Sequence, residues 1–162
     1  MLDVRAHEQA LALNLLPSGL YVMTGAYEGK RSGTLVKWVS QVANEPALIA
    51  VAIFRGHWVE PLIRDSRGFG ICRVDAGDKL IERKFGEDAR RDADPFDCLP
   101  IEVLQTGAPL IKKSQFALDC LTVRHFDLEA DHSLYIGQVV GARVYQPAPT
   151  ASAPRGRNGH AH

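Results

Sequence analysis

Apolar and polar residues alternate along most of this chain, after a short stretch with helical periodicity. Apolar residues recur near the helical period over 6–16, so the pattern predicts a first helix that ends before Pro17. A strand rich in β-branched and aromatic residues follows at 19–25. A turn at Gly29 connects it to a hairpin partner that is predicted to run through 33–46 as one strand.

The later pattern is also dominated by strands. Eight consecutive apolar residues, 47–54, predict a strand that is buried on both faces. A short helix is predicted over 57–65 and another strand over 68–74. Two long alternating strands, at 115–127 and 133–145, complete the domain.

Helices are inserted between these strands rather than after each one. This order predicts a mainly β fold, an antiparallel barrel with peripheral helices, rather than a doubly wound sheet. The charged run 75–97 predicts one or two surface helices. Residues 147–162 are rich in Pro, Ala and Gly without an apolar pattern, so we predict a disordered tail behind a single domain at 1–146.

Composition limits the possible functions. The 162 residues are 46% hydrophobic and 23% charged, which is ordinary for one globular domain. Nineteen Lys plus Arg balance nineteen Asp plus Glu, so no net field favours nucleic acid or a membrane surface. We see neither a secretory signal nor a window near the roughly 20 apolar residues of a membrane span. Three widely spaced Cys favour reduced thiols, and we expect a cytoplasmic protein.

A search for motifs with known chemistry is negative. The chain has no Gly-x-Gly-x-x-Gly after a strand, no phosphate-binding Gly-x-x-x-x-Gly-Lys loop and no His-Glu-x-x-His. Its six His lack metal-ligand spacing, and no Ser or Cys lies in a nucleophile pattern. We therefore predict no metal site and no catalytic acid, base or nucleophile.

Eight segments do carry a resemblance to a known family. In chain order they are LPSGLYVMT (16–24), GTLVKWVSQVANEPALIAVAI (33–53), PLIRDS (61–66), GFGI (68–71), KFG (84–86), TGAPL (106–110), ALDC (117–120) and DHSLYIGQVV (131–140). Their order and spacing resemble the flavin reductase-like family of FMN-binding split barrels over roughly residues 10–146.

This resemblance implies a fold, a cofactor and an activity. It implies a homodimer of six-stranded, Greek-key-like antiparallel barrels that binds FMN, or FAD, without covalent attachment near the dimer interface. It also implies hydride transfer from NADH or NADPH to the flavin, which in some members supplies a partner monooxygenase. Two alternatives stay open: an FMN-containing electron-transfer protein without pyridine-nucleotide activity, and a split-barrel binding protein that has lost its flavin.

The resemblance also assigns site residues. The residues that would line the flavin ring and ribityl chain are Thr34, Leu35, Val36, Lys37, Ser40 and Gln41, and those beside its phosphate are Phe54, Arg55, His57 and Trp58. His132 lies where family reductases carry a His for the nicotinamide cofactor. Independently of the family, Arg55 and His57 stand at the start of the predicted helix, where cations and free amides favour a phosphate.

Three positions depart from the family pattern. Many members have Thr or Ser where this chain has Leu35 and Lys37, and Thr where it has Val59. Lys37 would replace a neutral contact with a charged, less directional one, or else the pocket has lost flavin affinity. On strand alternation, Lys37 and Gln41 share a face, and Lys37 is alternatively an exposed residue whose stem covers apolar surface.

Simpler interpretations also exist for the other candidates. Trp38 and Trp58 are alternatively core or interface aromatics. Arg55 could form an ion pair on the following helix with Glu60 or Asp65, and His132 could be an ordinary exposed turn residue.

Overall fold

The computed structural model describes residues 3–146, and the predicted tail at 147–162 lies outside them. The elements are α1 (Val4–Asn14), β1 (Tyr21–Tyr27), β2 (Lys30–Val36), β3 (Trp38–Ala43), β4 (Leu48–Phe54), α2 (Val59–Ser66), β5 (Gly68–Arg73), α3 (Lys79–Phe85), β6 (Ile101–Val103), β7 (Pro109–Ile111), β8 (Phe116–Asp127) and β9 (His132–Val144). A mainly β fold with peripheral helices, as predicted, is confirmed. Over 3–146, no helix is long and apolar enough to cross a membrane.

The helix α1 begins and ends where the sequence indicates. The Asp3 carboxylate accepts a hydrogen bond from the Arg5 backbone N–H at 3.0 Å, which caps the helix. The helix ends before Pro17, which disfavours helical conformation in the residue preceding it. None of its side chains is buried, so α1 contributes little to the core of its own chain.

Seven strands form one antiparallel sheet in the order β2-β1-β5-β8-β9-β4-β3. The two strands at the ends of this order, β2 and β3, are consecutive in the chain and separated only by Lys37. Counted as one bent strand, they complete a six-stranded barrel, in agreement with the predicted strand number.

The prediction of one continuous strand over 33–46 is wrong. Val36 pairs with Tyr21 of β1, whereas Trp38 pairs with Ala52 of β4, so the chain changes strand partners across Lys37. Closure of the barrel requires this corner, and the uninterrupted apolar pattern does not indicate it.

The core fills the barrel interior and extends beneath α3. One cluster contains Met23, Val36, Ile49, Val51, Ile53, Val59, Ile63, Phe69, Ile71, Cys120 and Tyr135, and the other includes Val22, Cys72, Ile81, Phe85, Phe96, Leu110 and Ile111. The expectation that β4 is buried on both faces is wrong for the single chain. Ile49, Val51 and Ile53 are buried, but the alternate residues are half-buried and Phe54 is 64% exposed.

The charged run contains one helix, α3, whose N-cap Asp78 accepts from the backbone N–H groups of Leu80 and Ile81. The rest of 75–97 is turns and loops. The run also contributes to the core, because its residues Phe85 and Phe96 are buried there with ring centroids 5.3 Å apart. The short hairpin β6–β7 was not predicted.

Candidate functional site

A groove of about 650 Å³ opens where the corner between β2 and β3 approaches the start of α2. Its lining consists of Leu20, Thr34, Leu35, Val36, Lys37, Trp38, Ala52, Phe54, Arg55, Gly56, His57, Trp58, Phe85, Gly86, Glu87 and His132. This volume is within the range of cofactor-binding clefts, and the lining is mainly apolar with a few polar groups.

Most of the predicted site residues line this groove. Those it brings together are Thr34, Leu35, Val36, Lys37, Phe54, Arg55, His57, Trp58 and His132. Ser40 and Gln41 lie outside it, farther along β3. The Ser40 hydroxyl donates to the Gln41 carbonyl at 3.3 Å, and the Gln41 amide donates to the Ala43 carbonyl at 3.1 Å, so both side chains are engaged locally.

Lys37 lies at the strand corner and belongs to neither strand. Its backbone carbonyl accepts a hydrogen bond from the Gly19 N–H at 3.1 Å, which fixes the corner. Its side chain is exposed, and no carboxylate within residues 3–146 forms an ion pair with its ammonium group. Lys37 is therefore a cation available to a ligand in the groove.

The expectation that His57 supplies a cation is wrong near neutral pH. Burial lowers its pKa to about 4, against a smaller raising effect of Glu60. Its Nδ1 accepts a hydrogen bond from the Val59 N–H at 3.0 Å, which a neutral ring can do, and the ring stacks on Trp58 at 4.0 Å. His57 thus acts as a neutral helix cap and part of an aromatic wall.

The loop before α2 is held by one carboxylate. Glu60 accepts from the Gly56 N–H at 2.9 Å and from the Tyr135 hydroxyl at 2.8 Å. Gly56 has a φ of +89°, a conformation that favours glycine. Burial and the adjacent Glu60 both raise the pKa of Tyr135, so its hydroxyl remains a donor. The backbone N–H groups of His57 and Trp58 donate to no acceptor among the described residues.

Arg55 pairs across the barrel rather than along α2. Its guanidinium donates to the Ala130 carbonyl at 3.1 Å and lies 3.5 Å from the Asp127 carboxylate, both near the β8–β9 turn. The alternative partners Glu60 and Asp65 form no ion pair with it. The side chain is 47% exposed, so the Asp127 pair is weak and leaves other guanidinium donors accessible.

His132 begins β9 and lies among aromatic rings, so it is more than an exposed turn residue. Its Nδ1 is 2.8 Å from the Asp131 carboxylate, and this contact lowers the pKa of Asp131. Its ring lies 4.9 Å from that of Trp38 and 5.5 Å from that of Phe54. Trp38 itself is 52% exposed, so it forms part of the groove wall rather than of the core.

Sequence reasoning missed one wall of the groove. The missed lining residues are Leu20, Ala52, Phe85, Gly86 and Glu87. Three of them lie at the end of α3, which reaches the groove through tertiary packing alone. The one available signal was the Lys84-Phe85-Gly86 segment, which matches the family order but was given no role.

The groove has the chemistry of a site for a flat ligand with an anionic end. Aromatic and apolar side chains form much of its lining, which also includes the cations Lys37 and Arg55, and two uncommitted backbone amides lie just before α2. Amides and cations at a helix start favour a phosphate. Residues 3–146 contain no group of three His, Cys, Asp or Glu side chains that could hold a metal ion.

Comparison with known proteins identifies relatives. A ferric-chelate reductase (NAD(P)H) of Archaeoglobus fulgidus is 25% identical over 132 residues, which is 80% of this chain and 78% of the relative. Three longer curated relatives match as well, and the chain spans only 23–24% of their length.

Solved structures show the same fold. NADH:FAD oxidoreductase SgcE6 of Streptomyces globisporus C-1027 superposes with a TM-score of 0.74 at 21% identity, covering 89% of this chain and 86% of the other. Nitrilotriacetate monooxygenase component B of Mycobacterium thermoresistibile has a TM-score of 0.70 at 20% identity, covering 93% and 82%.

A sequence profile of the flavin reductase-like domain matches residues 13–154. The chain therefore belongs to the flavin reductase-like domain family, and the resemblance inferred from its segments is confirmed.

Proposed function

We propose that this protein is an NAD(P)H-dependent flavin reductase that binds FMN, or FAD, without covalent attachment in the groove. The observation that carries the proposal is the groove itself, which is lined by aromatic side chains and by the cations Lys37 and Arg55. Family membership and the reductase names of the relatives support the same reaction class. A bound flavin would supply the hydride-accepting chemistry, which explains why the chain needs no acid, base or nucleophile.

The residues of the chain would position the two nucleotides. Trp38 and Trp58 would flank the ring system, while Lys37, Arg55 and the free amides before α2 would hold the phosphate. Val59 is fully buried, so the hydroxyl that many members carry at this position is replaced by core packing. Lys37 would replace the lost neutral contacts with a charged one.

His132 would contact the nicotinamide cofactor. Its contact with Asp131 fixes the orientation of the ring, and Trp38 and Phe54 hold it at the groove surface. A ring fixed in this way can position a second nucleotide against the first without taking part in proton transfer.

We also propose that the protein is a homodimer whose interface adjoins the groove. Trp38 pairs with Ala52, and Phe54 pairs with His132, so these residues share the outward face of β3, β4 and β9. Trp38 is 52% and Phe54 64% exposed. Such an apolar face, continuous with the groove, is typical of a protein interface. A second copy seated there would also cover the half-buried side of β4.

Supply of reduced flavin to a partner monooxygenase, in the cytoplasm, is part of the proposal. It is supported by the fold shared with the nitrilotriacetate monooxygenase component B, and by nothing in the groove itself.

Flavin titration and nicotinamide oxidation test the function together. Purified protein should quench the fluorescence of FMN or FAD saturably at micromolar concentration and oxidise NADH or NADPH only when flavin is present. Absence of quenching would refute the flavin site. Tight flavin binding without nicotinamide oxidation would favour the electron-transfer alternative.

A His132→Ala variant separates the two nucleotide sites. It should raise the KM for the nicotinamide while leaving the flavin Kd unchanged. His7→Ala, in the exposed helix α1, is the matched control. An unchanged KM in His132→Ala would remove His132 from the proposed site.

A further inference from the structure

A second, smaller cleft of about 280 Å³ lies between the C-terminal end of α2 and residues 122–125 of β8, which follow the part of β8 that pairs with β5. Its lining includes Arg64 from α2, Arg67 directly after α2, and Thr122, Arg124 and His125 from β8. None of the residues lining this cleft also lines the groove. The cleft is therefore separate from the site of the proposed reaction.

The charge of this cleft has one sign. Arg64, Arg67 and Arg124 are exposed, and no acidic side chain lines the cleft. Within residues 3–146, none of the three guanidinium groups forms an ion pair with a carboxylate. Among residues 3–146, their only hydrogen bond goes from Arg124 Nη1 to the adjacent Val123 carbonyl at 2.9 Å. The positive charge of the cleft is therefore not neutralised by the described part of the chain, and an anion would complement it.

The local strand geometry is also irregular. The pairing of β8 with β9 shifts register between Thr122 and Arg124, and such bulges change the direction in which side chains point. The His125 ring stacks on Tyr135 at 4.3 Å, which fixes the floor beside the arginines.

We propose that this cleft is a second anion site that binds a phosphate group, either free or carried by a small nucleotide. Arg64, Arg67 and Arg124 would donate to its oxygens, since the guanidinium fork matches phosphate geometry. The cleft is smaller than typical cofactor pockets, so it suits a phosphate group better than a whole dinucleotide. The proposal does not depend on the flavin reductase function.

Calorimetric titration with inorganic phosphate at constant ionic strength, with chloride as the reference salt, tests the site. The wild type should bind phosphate, and Arg124→Gln should weaken binding about tenfold, as expected for one charge-assisted hydrogen bond. Arg91→Gln, at an exposed loop position outside both clefts, is the matched control and should bind like the wild type. Both variants should keep the wild-type FMN affinity, measured by fluorescence quenching.

Titrations with AMP and adenosine distinguish the sources of the phosphate. Tighter binding of AMP than of phosphate, with no binding of adenosine, would identify a nucleotide phosphate, whereas equal binding would identify the phosphate group alone. The proposal is wrong if phosphate binds no better than chloride, or if Arg91→Gln weakens binding as much as Arg124→Gln. It is also wrong if Lys37→Ala abolishes the signal, since phosphate would then occupy the groove. A changed oligomeric mass of Arg124→Gln at unchanged phosphate affinity would assign the arginines to an interface and refute the site.

Discussion

Replacement of His57 by Asn should reduce the acid sensitivity of the protein. Burial lowers the pKa of His57 from 6.5 to about 4, so its ring stays neutral in the folded state while the unfolded chain takes up a proton. The unfolded state then binds more protons between these two pKa values, and stability rises with pH in this window. The contribution of His57 is present above about pH 6.5 and is lost as the pH falls towards about 4.

The structure sets the size of this effect. The full difference between the two pKa values, 6.5 and about 4, corresponds to at most roughly 3 kcal/mol. The ring is half-buried, so solvent screening reduces the expected loss to about 1–2 kcal/mol. Asn at this position keeps an acceptor for the Val59 N–H, which His57 Nδ1 binds at 3.0 Å, but does not titrate.

Urea unfolding of the flavin-free protein at about pH 7 and about pH 4.5 measures the effect. The free energy of unfolding of the wild type should fall by about 1–2 kcal/mol more than that of His57→Asn. The carboxylates titrate equally in both proteins and cancel in this difference. Equal losses would show that the folded-state pKa of His57 is normal, and the neutral cap would be refuted.

Three further changes test other parts of the structure. Lys37→Ala should weaken FMN binding about fivefold in quenching titrations and change the free energy of unfolding by less than about 0.5 kcal/mol. An unchanged Kd for FMN would exclude a contact between Lys37 and the flavin. Tyr135→Phe removes the phenolic hydrogen bond to the α2 carboxylate and should cost about 1–2 kcal/mol in urea unfolding, whereas a neutral effect would show that the bond contributes nothing. Gly137→Ala would place a Cβ 2.5 Å from the buried Phe69 ring and should cost about 2–3 kcal/mol. Gly77→Ala, with open space around it, is its control, and equal stability of the two variants would contradict the packing argument.

Local periodicity predicted most of the fold because most strands and helices are long enough to show a clear period of apolar residues. The helix over 57–65 and the strands over 115–127 and 133–145 agree with α2, β8 and β9 within a few residues. The hairpin β6–β7 was missed because its strands have three residues each and pair only with each other. Nothing in so short a segment distinguishes a strand from a loop.

The high charge of the segment around α3 led to the prediction of a surface segment, so its contribution to the core and the groove was not predicted. Acidic and basic residues dominate 75–97, so the average composition indicated a surface. Phe85 and Phe96 nevertheless enter the core, and the end of α3 forms one wall of the groove. Two isolated aromatics produce no periodic signal, and only the tertiary contacts show that they are buried.

Most of the candidate site could be predicted only through the family resemblance, although Arg55 at the start of the predicted helix indicated a phosphate independently of it. Its residues come from the β2–β3 corner, the start of α2, the end of α3 and the start of β9, and no spacing rule connects these segments. Position in the family identified the groove lining but not the ionisation of His57, which depends on burial. It also assigned Ser40 and Gln41 to the flavin, and these two residues lie outside the groove lining, beyond the corner at Lys37.

The corner at Lys37 links the architecture to the proposed chemistry. Closing the barrel requires the chain to leave β1 after Val36 and join β4 at Trp38, so one residue between them is released from strand pairing. That residue is exposed at the groove, and its backbone carbonyl accepts a hydrogen bond from the Gly19 N–H. Its side chain can therefore be replaced without loss of packing energy. A substitution at this position can change a contact to a ligand in the groove without destabilising the fold. A cation here is tolerated by the fold for that reason, and the Lys37→Ala variant tests whether the ammonium group contacts the proposed flavin.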